Sequence, residues 1–165
     1  MIIIKDTVFL HMYKTGGNFI HKSIINSGLN ILYLNLHQPA SKIPDRFKDF
    51  KKIGVCRNPW DWYVSYYHYC FGIKNPDLAG GNIFKKMSKN YTLGFEDTIR
   101  NILESDFTKL DNFYNKVKYD YKGLYTTTHN YLFNVDGIEF IKFRNISSDI
   151  KKFGIKPLPN RVNIS

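Results

Sequence analysis

The chain has 165 residues, of which 43% are hydrophobic and 16% aromatic, so it is long and apolar enough to bury a core. Lysine and arginine outnumber aspartate and glutamate by 24 to 14, and the net charge of +10 favours an anionic partner such as a nucleotide, an acidic glycan or a nucleic acid. Cys56 and Cys70 form neither a disulfide framework nor a zinc-binding pattern, and no uncharged segment approaches the roughly 20 residues of a membrane span. We therefore expect one soluble, cytoplasmic domain over residues 1–165.

Strand and helix patterns alternate along the chain. Short apolar runs bounded by polar residues predict strands, and apolar residues at helical spacing predict helices. The predicted strands cover 7–12, 30–36, 52–56 and 139–145, and the predicted helices cover 17–29, 44–52, 58–71, 95–105 and 146–155. The strand at 30–36 has the composition of a buried strand, and Gly28 and Gly154 are placed to end two of the helices. The alternation predicts an α/β fold with a mostly parallel central sheet flanked by helices.

Residues 72–94 differ in character from the rest. They contain four glycines, a proline and several lysines, which predicts a loop or lid at a substrate site. Its lysines are suitable contacts for an anionic acceptor: Lys74, Lys85, Lys86 and Lys89.

A Lys-Thr-Gly-Gly sequence separates the first predicted strand from the first predicted helix. Its glycines, Gly16 and Gly17, allow a tight turn and a close approach of the backbone to a ligand, and the helix start offers unpaired N–H groups. Lys14 adds a full positive charge, and Thr15 and Asn18 add short hydrogen-bonding side chains. The segment predicts a phosphate or sulfate site. It is not a Walker A loop, because that motif has its lysine after the glycines.

A second polar constellation follows the strand at 52–56. Asn58, Pro59 and Asp61 are suited to cap a helix, and Arg57 stands immediately before them. Ser65 follows two helical turns later. A guanidinium and a hydroxyl directed at one place form a second site for an anion.

Together the segments HMYKTGG and VCRNPWDWYVSYY resemble the two nucleotide-binding motifs of sulfotransferases that use 3′-phosphoadenosine 5′-phosphosulfate (PAPS). More narrowly they resemble the carbohydrate sulfotransferase branch that includes heparan sulfate 2-O- and 6-O-sulfotransferases and their bacterial and viral relatives. The resemblance implies a three-layer fold like that of P-loop NTPases. It also implies that Lys14, Thr15, Gly16, Gly17 and Asn18 bind the 5′-phosphosulfate, and that Arg57 and Ser65 bind the 3′-phosphate.

The segments FIKFRNISSDIKKFGI and LPNRVNIS extend the resemblance more weakly toward the C-terminus. Asn18 stands where the family commonly has Thr or Ser, and Trp62 stands where many relatives have arginine. Relatives also continue beyond the position of Ser165, so we expect a C-terminus that is short for the family.

Transfer of a sulfuryl group to an alcohol requires a base for the hydroxyl proton. His37 is the first candidate, because it follows a predicted strand, where sites form in α/β sheets, and because HQPASKI resembles the family's segment with the proposed base. His11 is placed to line the Lys14 loop, and His129 is a weaker candidate base. His21 and His68 lie within predicted helices and suit packing or the surface.

The predicted function is transfer of a sulfuryl group from PAPS to a hydroxyl, on a carbohydrate, with Lys14 and His37 as catalytic residues and without a metal. Two alternatives stay open. A small-molecule kinase on the same fold would need ATP and magnesium, and a catalytically silent module would bind any polyanion with steep salt dependence. No known motif that reads DNA or RNA occurs, so a nucleic-acid partner is not expected.

Overall fold

A computed structural model describes residues 1–73, 85–105 and 123–159 of the chain. By its internal contacts the chain divides into two compact units, one formed by Met1–Asn58 with Leu132–Ser165 and the other by Pro59–Tyr131. That residues 1–165 form one domain therefore remains a prediction from the sequence. No helix in the described ranges combines the length and the apolar character that crossing a bilayer demands.

A five-stranded sheet forms the centre of the first unit. Its strands are β1 (Ile2–Ile4), β2 (Thr7–His11), β3 (Ile31–Leu34), β4 (Lys51–Cys56) and β5 (Ile138–Lys142), in the spatial order β3-β1-β2-β4-β5. β2, β4 and β5 pair in parallel, whereas β1 is antiparallel to both β2 and β3. Four of the five strands therefore share one direction, and their carboxyl ends lie at one edge of the sheet. The predicted α/β class with a mostly parallel sheet is confirmed.

The core of the first unit lies between this sheet and the helices that follow β2 and β5. Helix α1 (Gly17–Asn26) buries Phe19, Ile20 and Ile24 in the same apolar cluster as strand residues Ile2 and Phe9. α1 gives way at Ser27 to Gly28, whose φ of 66° is accessible to glycine at little cost. The predicted stop at Gly28 is confirmed.

The second unit is built around aromatic side chains on helices α2 (Pro59–Ile73), α3 (Phe95–Glu104) and α4 (Leu124–Leu132). Trp62 is fully buried, and its ring contacts Tyr66 and Tyr125 with centroids 4.9 and 5.4 Å apart. The Tyr63 hydroxyl accepts a hydrogen bond from the Tyr125 backbone N–H at 3.1 Å. Trp62 is therefore a core residue of this unit.

Several predicted elements require correction. The run at 44–52 is not one helix: Asp45–Phe47 form a single 3-10 turn, because Lys51 and Lys52 already pair with β2. β3 is not a buried strand, since it lies at the sheet edge with Leu32 and Leu34 exposed.

The C-terminal helix is confirmed in a shorter form. A 3-10 turn (Phe143–Asn145) follows β5 and leads into α5 (Ile146–Asp149), and a second 3-10 turn (Ile150–Phe153) ends at Gly154. Gly154 has a φ of 71°, as a helix-ending glycine should.

The predicted loop at 72–94 is described only in part. Residues 72–73 complete α2, residues 85–87 are helical and turns follow to residue 93. Residues 74–84, with Lys74, lie outside the described residues, as do residues 160–165 of the LPNRVNIS segment.

Candidate active site

The loop after β2 carries the Lys-Thr-Gly-Gly sequence, the first predicted anion-binding segment. Lys14 and Gly16 have φ angles of 60° and 86°, so the backbone turns sharply between the strand and α1. The first turn of α1 contains no acidic side chain, and no side chain caps its start. Lys14 is half-buried and lies in the loop that leads directly into the positive end of this helix.

Thr15 and Asn18 take different positions in this loop. The Thr15 side chain is fully buried and its hydroxyl donates to the Met12 carbonyl at 2.9 Å, which closes the loop on itself. Asn18 is exposed in the first turn of α1.

Side chains from outside the loop pack against Gly16 and Gly17. A Cβ atom on Gly17 would lie 2.0 Å from Cε1 of His11, and one on Gly16 would lie 2.8 Å from Cδ1 of Ile146 and 3.0 Å from Cε2 of Phe143. Larger residues cannot occupy either position without displacing these neighbours. The loop shape is thus fixed by packing as well as by backbone freedom.

Arg57 lies beside this loop. It follows β4, which runs parallel to β2 with Val55 opposite His11, so the two strands deliver Lys14 and Arg57 to the same edge. One guanidinium nitrogen, Nη1, donates to the Lys14 carbonyl at 3.1 Å. The guanidinium carbon also lies 4.6 Å from the centroid of the Phe143 ring. The two predicted anion-binding segments are therefore in direct contact.

His37 reaches the same edge from β3. Its ring stacks on Tyr13, with centroids 3.9 Å apart and planes inclined by 30°, and meets the His11 ring edge-on at 4.8 Å. The φ angle of His37 is 61°, a conformation that L-residues rarely adopt. Strained residues of this kind concentrate at functional sites.

Burial controls the protonation of this histidine pair. It lowers the pKa of His37 to about 4, and it lowers the pKa of His11 to about 3 with a further contribution from the charge of His37. Both imidazoles are therefore neutral near pH 7. The neutral form is the one that can accept a proton, and the same burial makes each imidazole a weaker base than one that titrates near pH 6.5.

Three of the remaining candidates, Ser65, His68 and His129, lie in the second unit, and His21 lies on α1 of the first unit. Ser65 is buried on α2, and its convergence with Arg57 stays a prediction. His129 lies on α4 within the second unit, with its pKa lowered by burial. His21 is half-buried on α1 and His68 is exposed on α2, as expected of packing or surface residues.

Two aromatic residues of the site were missed from the sequence: Tyr13, which stacks on His37, and Phe143, which packs on Arg57. Their positions in the sequence could have indicated that they belong to the site. Tyr13 precedes Lys14 directly, and Phe143 follows the last strand, where the site of an α/β sheet forms.

The arrangement can hold an anionic ligand against Lys14, Arg57 and the start of α1, with a neutral imidazole at the same sheet edge. A family model described as the sulfotransferase domain matches residues 24–135, which is more than half of the chain and includes His37, Arg57 and Ser65. Comparison with curated proteins gave no match, and neither did comparison with solved structures.

Proposed function

The chain belongs to the sulfotransferase family of PAPS-dependent enzymes, and from this premise we propose that it binds PAPS at the carboxyl edge of its sheet and sulfates a carbohydrate hydroxyl. The single observation that carries the proposal is the hydrogen bond from Arg57 Nη1 to the Lys14 carbonyl. It unites the two segments that the proposal assigns to the two ends of one bisphosphorylated nucleotide.

The charges of the site fit such a ligand. Lys14 and the uncapped start of α1 offer a point charge and N–H donors to the 5′-phosphosulfate. Arg57 offers a planar fork suited to a phosphate, and Ser65 is proposed to add a hydroxyl on the 3′ side. A ligand with phosphates on both the 3′ and the 5′ side would use all of these groups.

The reaction assigns a task to each remaining residue. Bound PAPS supplies the sulfuryl group together with a phosphate leaving group. We assign to Lys14 and the α1 N–H groups the stabilisation of the negative charge that grows on that phosphate as its bond to sulfur breaks. We assign to His37, neutral near pH 7, the proton that the acceptor hydroxyl loses as its oxygen bonds to sulfur.

An acidic carbohydrate is the acceptor class that the charge of the chain favours. The net charge of +10 suits a polyanion, and Lys85, Lys86, Lys89 and Asn90 line an open cavity of about 350 Å³ in the second unit. We also propose that the chain has the P-loop-like architecture that its resemblance to sulfotransferases implies.

Calorimetry with the purified protein tests the donor site. We expect 3′-phosphoadenosine 5′-phosphate (PAP), the desulfated product, to bind, and ATP with magnesium to bind at least tenfold more weakly. Arg57→Ala and Lys14→Ala should each weaken PAP binding by about tenfold or more, the loss typical of a charge-assisted contact.

Arg46→Ala is the matched control, because Arg46 also lies 4.6 Å from a phenylalanine ring, that of Phe47, but it precedes β4, whereas Arg57 follows that strand. It should leave PAP affinity unchanged. Preference for ATP with magnesium would favour a kinase, and equal affinity for PAP and heparin that collapses with salt would favour a silent polyanion module. Transfer of labelled sulfate from PAPS to a panel of neutral and acidic oligosaccharides then tests the acceptor.

A further inference from the structure

The strand register brings a residue outside the assigned machinery to the Arg57 side chain. β4 and β5 pair in parallel with Cys56 opposite Lys142, so the residues that follow the two strands, Arg57 and Phe143, emerge at the same edge. Phe143 begins the 3-10 turn that follows β5. Its ring lies under the guanidinium, 4.6 Å from the central carbon to the centroid.

The same ring also bounds the Lys14 loop. Its edge atoms Cε2 and Cδ2 lie 3.0 and 3.2 Å from the point where a Cβ atom on Gly16 would be. One face of the ring thus carries the guanidinium while one edge fills the space under the loop glycine. Arg57 is held from two directions, by the Phe143 ring and by the Lys14 carbonyl that accepts its hydrogen bond.

A guanidinium held in one orientation loses less conformational entropy on binding a phosphate than a free arginine side chain does. We propose that Phe143 is a positioning residue that sets the orientation of the Arg57 guanidinium against the Lys14 loop, and thereby determines selectivity for nucleotides with a 3′-phosphate over those without one. This inference rests on the proposed function, because it takes the 3′-phosphate as the ligand of Arg57.

The test compares two nucleotides on matched variants. PAP and AMP differ only in the 3′-phosphate, so calorimetry with both isolates the contribution of Arg57. We expect Phe143→Leu to weaken PAP binding by about three- to thirtyfold, the range of a cation–π contact, and to leave AMP binding within about twofold. Phe143→Tyr keeps the ring and should retain the preference of the wild type.

Two controls separate positioning from other roles. Phe140→Leu removes a nearby ring, one that lies on β5 and packs against Phe133, and it should leave the ratio of PAP to AMP affinity unchanged. In an Arg57→Ala background Phe143→Leu should have no further effect on PAP binding, because its action passes through Arg57. Equal losses for PAP and AMP would overturn the inference and make Phe143 a nucleotide contact or a purely structural residue.

A measurement on the free protein keeps the inference testable independently of the ligand. The ring current of Phe143 should shift the Arg57 side-chain proton signals upfield, and Phe143→Leu should abolish that shift while the backbone amide spectrum stays folded. Unshifted Arg57 signals in the wild type would overturn the inference. A wild type that binds PAP no better than AMP would overturn the proposed function and the selectivity role with it, whereas a wild-type preference unchanged in Phe143→Leu would overturn the inference alone.

Discussion

β2 and β3 run in the same direction and end at the same edge of the sheet, but they differ in burial and in the number of neighbouring strands. β2 is buried along its whole length and pairs on both sides, whereas β3 is an edge strand with alternate side chains exposed. β2 leads into the glycine loop that carries Lys14, and β3 leads into His37. A buried strand thus supports the part of the site whose shape depends on backbone packing, and an exposed strand supports the candidate base.

The contacts of each loop follow from this difference. The loop after β2 is restrained by His11 beneath Gly17, and by Ile146 and Phe143 beneath Gly16. His37 instead contacts two rings from the chain segment at the end of β2: the His11 ring, at the last residue of the strand, and the Tyr13 ring, in the loop that follows. The edge strand therefore depends on β2 for the placement of its functional residue.

The largest expected effect comes from filling the space beneath the β2 loop. Gly17→Ala would place a Cβ atom 2.0 Å from the His11 ring, and we expect it to lower the free energy of unfolding by about 3 kcal/mol. Chemical denaturation measures this loss. Gly28→Ala is the control: Gly28 has a φ of 66°, and no atom of the described residues lies within 4 Å of its Cβ position, so we expect only backbone strain of about 1 kcal/mol.

A double variant sharpens the same point. His11→Ala removes the ring that meets the new Cβ atom, so Gly17→Ala should cost less in that background than in the wild type. Equal costs for Gly17→Ala and Gly28→Ala would show that packing against His11 does not restrain the loop.

The histidine pair joins the two strand ends, and it makes stability depend on pH. In the unfolded chain an imidazole binds a proton below about pH 6.5, whereas in the folded chain burial lowers the pKa of His37 to about 4 and that of His11 to about 3. The unfolded state binds more protons throughout this window. The contribution of the pair is therefore fully present above about pH 6.5 and is lost as the pH falls toward 3, by up to about 1.4 kcal/mol per pH unit for each histidine.

Denaturation between pH 7 and pH 4.5 checks this slope. His11→Gln should reduce it, and His68→Gln, at an exposed position of α2, should not. The buried Met1 amino group, with its pKa lowered to about 5, adds a loss of the same sign that all variants share. A His11→Gln slope equal to that of the wild type would separate His11 from the pH dependence.

Local patterns predicted most elements of the fold because they act over a few residues. Apolar runs located β2 and β4, and Gly28 and Gly154 marked the ends of two helices. β1 was missed because its three isoleucines stop at Lys5, which adopts a φ of 46° in the turn to β2. β1 pairs with β2 through a short hairpin, but its antiparallel pairing with β3 joins residues that are far apart in the sequence, which no local pattern encodes.

The candidate site divides in the same way. The sequence indicated Lys14, Arg57 and His37, because charged and titratable side chains at strand ends are visible as residue types. Tyr13 and Phe143 could not be distinguished from core aromatics, since their importance lies in which ring faces which cation or imidazole. Such contacts require the strand register, which places Phe143 beside Arg57.

The smallest expected change in stability comes from a substitution on β3. The composition of this strand favoured burial, but the order of the strands places it at the edge of the sheet. Leu34 is 44% exposed and Leu10 on β2 is 1% exposed, so one substitution can be compared on the two strands. We expect Leu34→Thr to change the free energy of unfolding by about 0.5 kcal/mol and Leu10→Thr to lower it by about 3 kcal/mol. Denaturation measures both. A large loss for Leu34→Thr would mean that the exposed face of β3 is covered in solution, and the contrast between the two strands would then disappear.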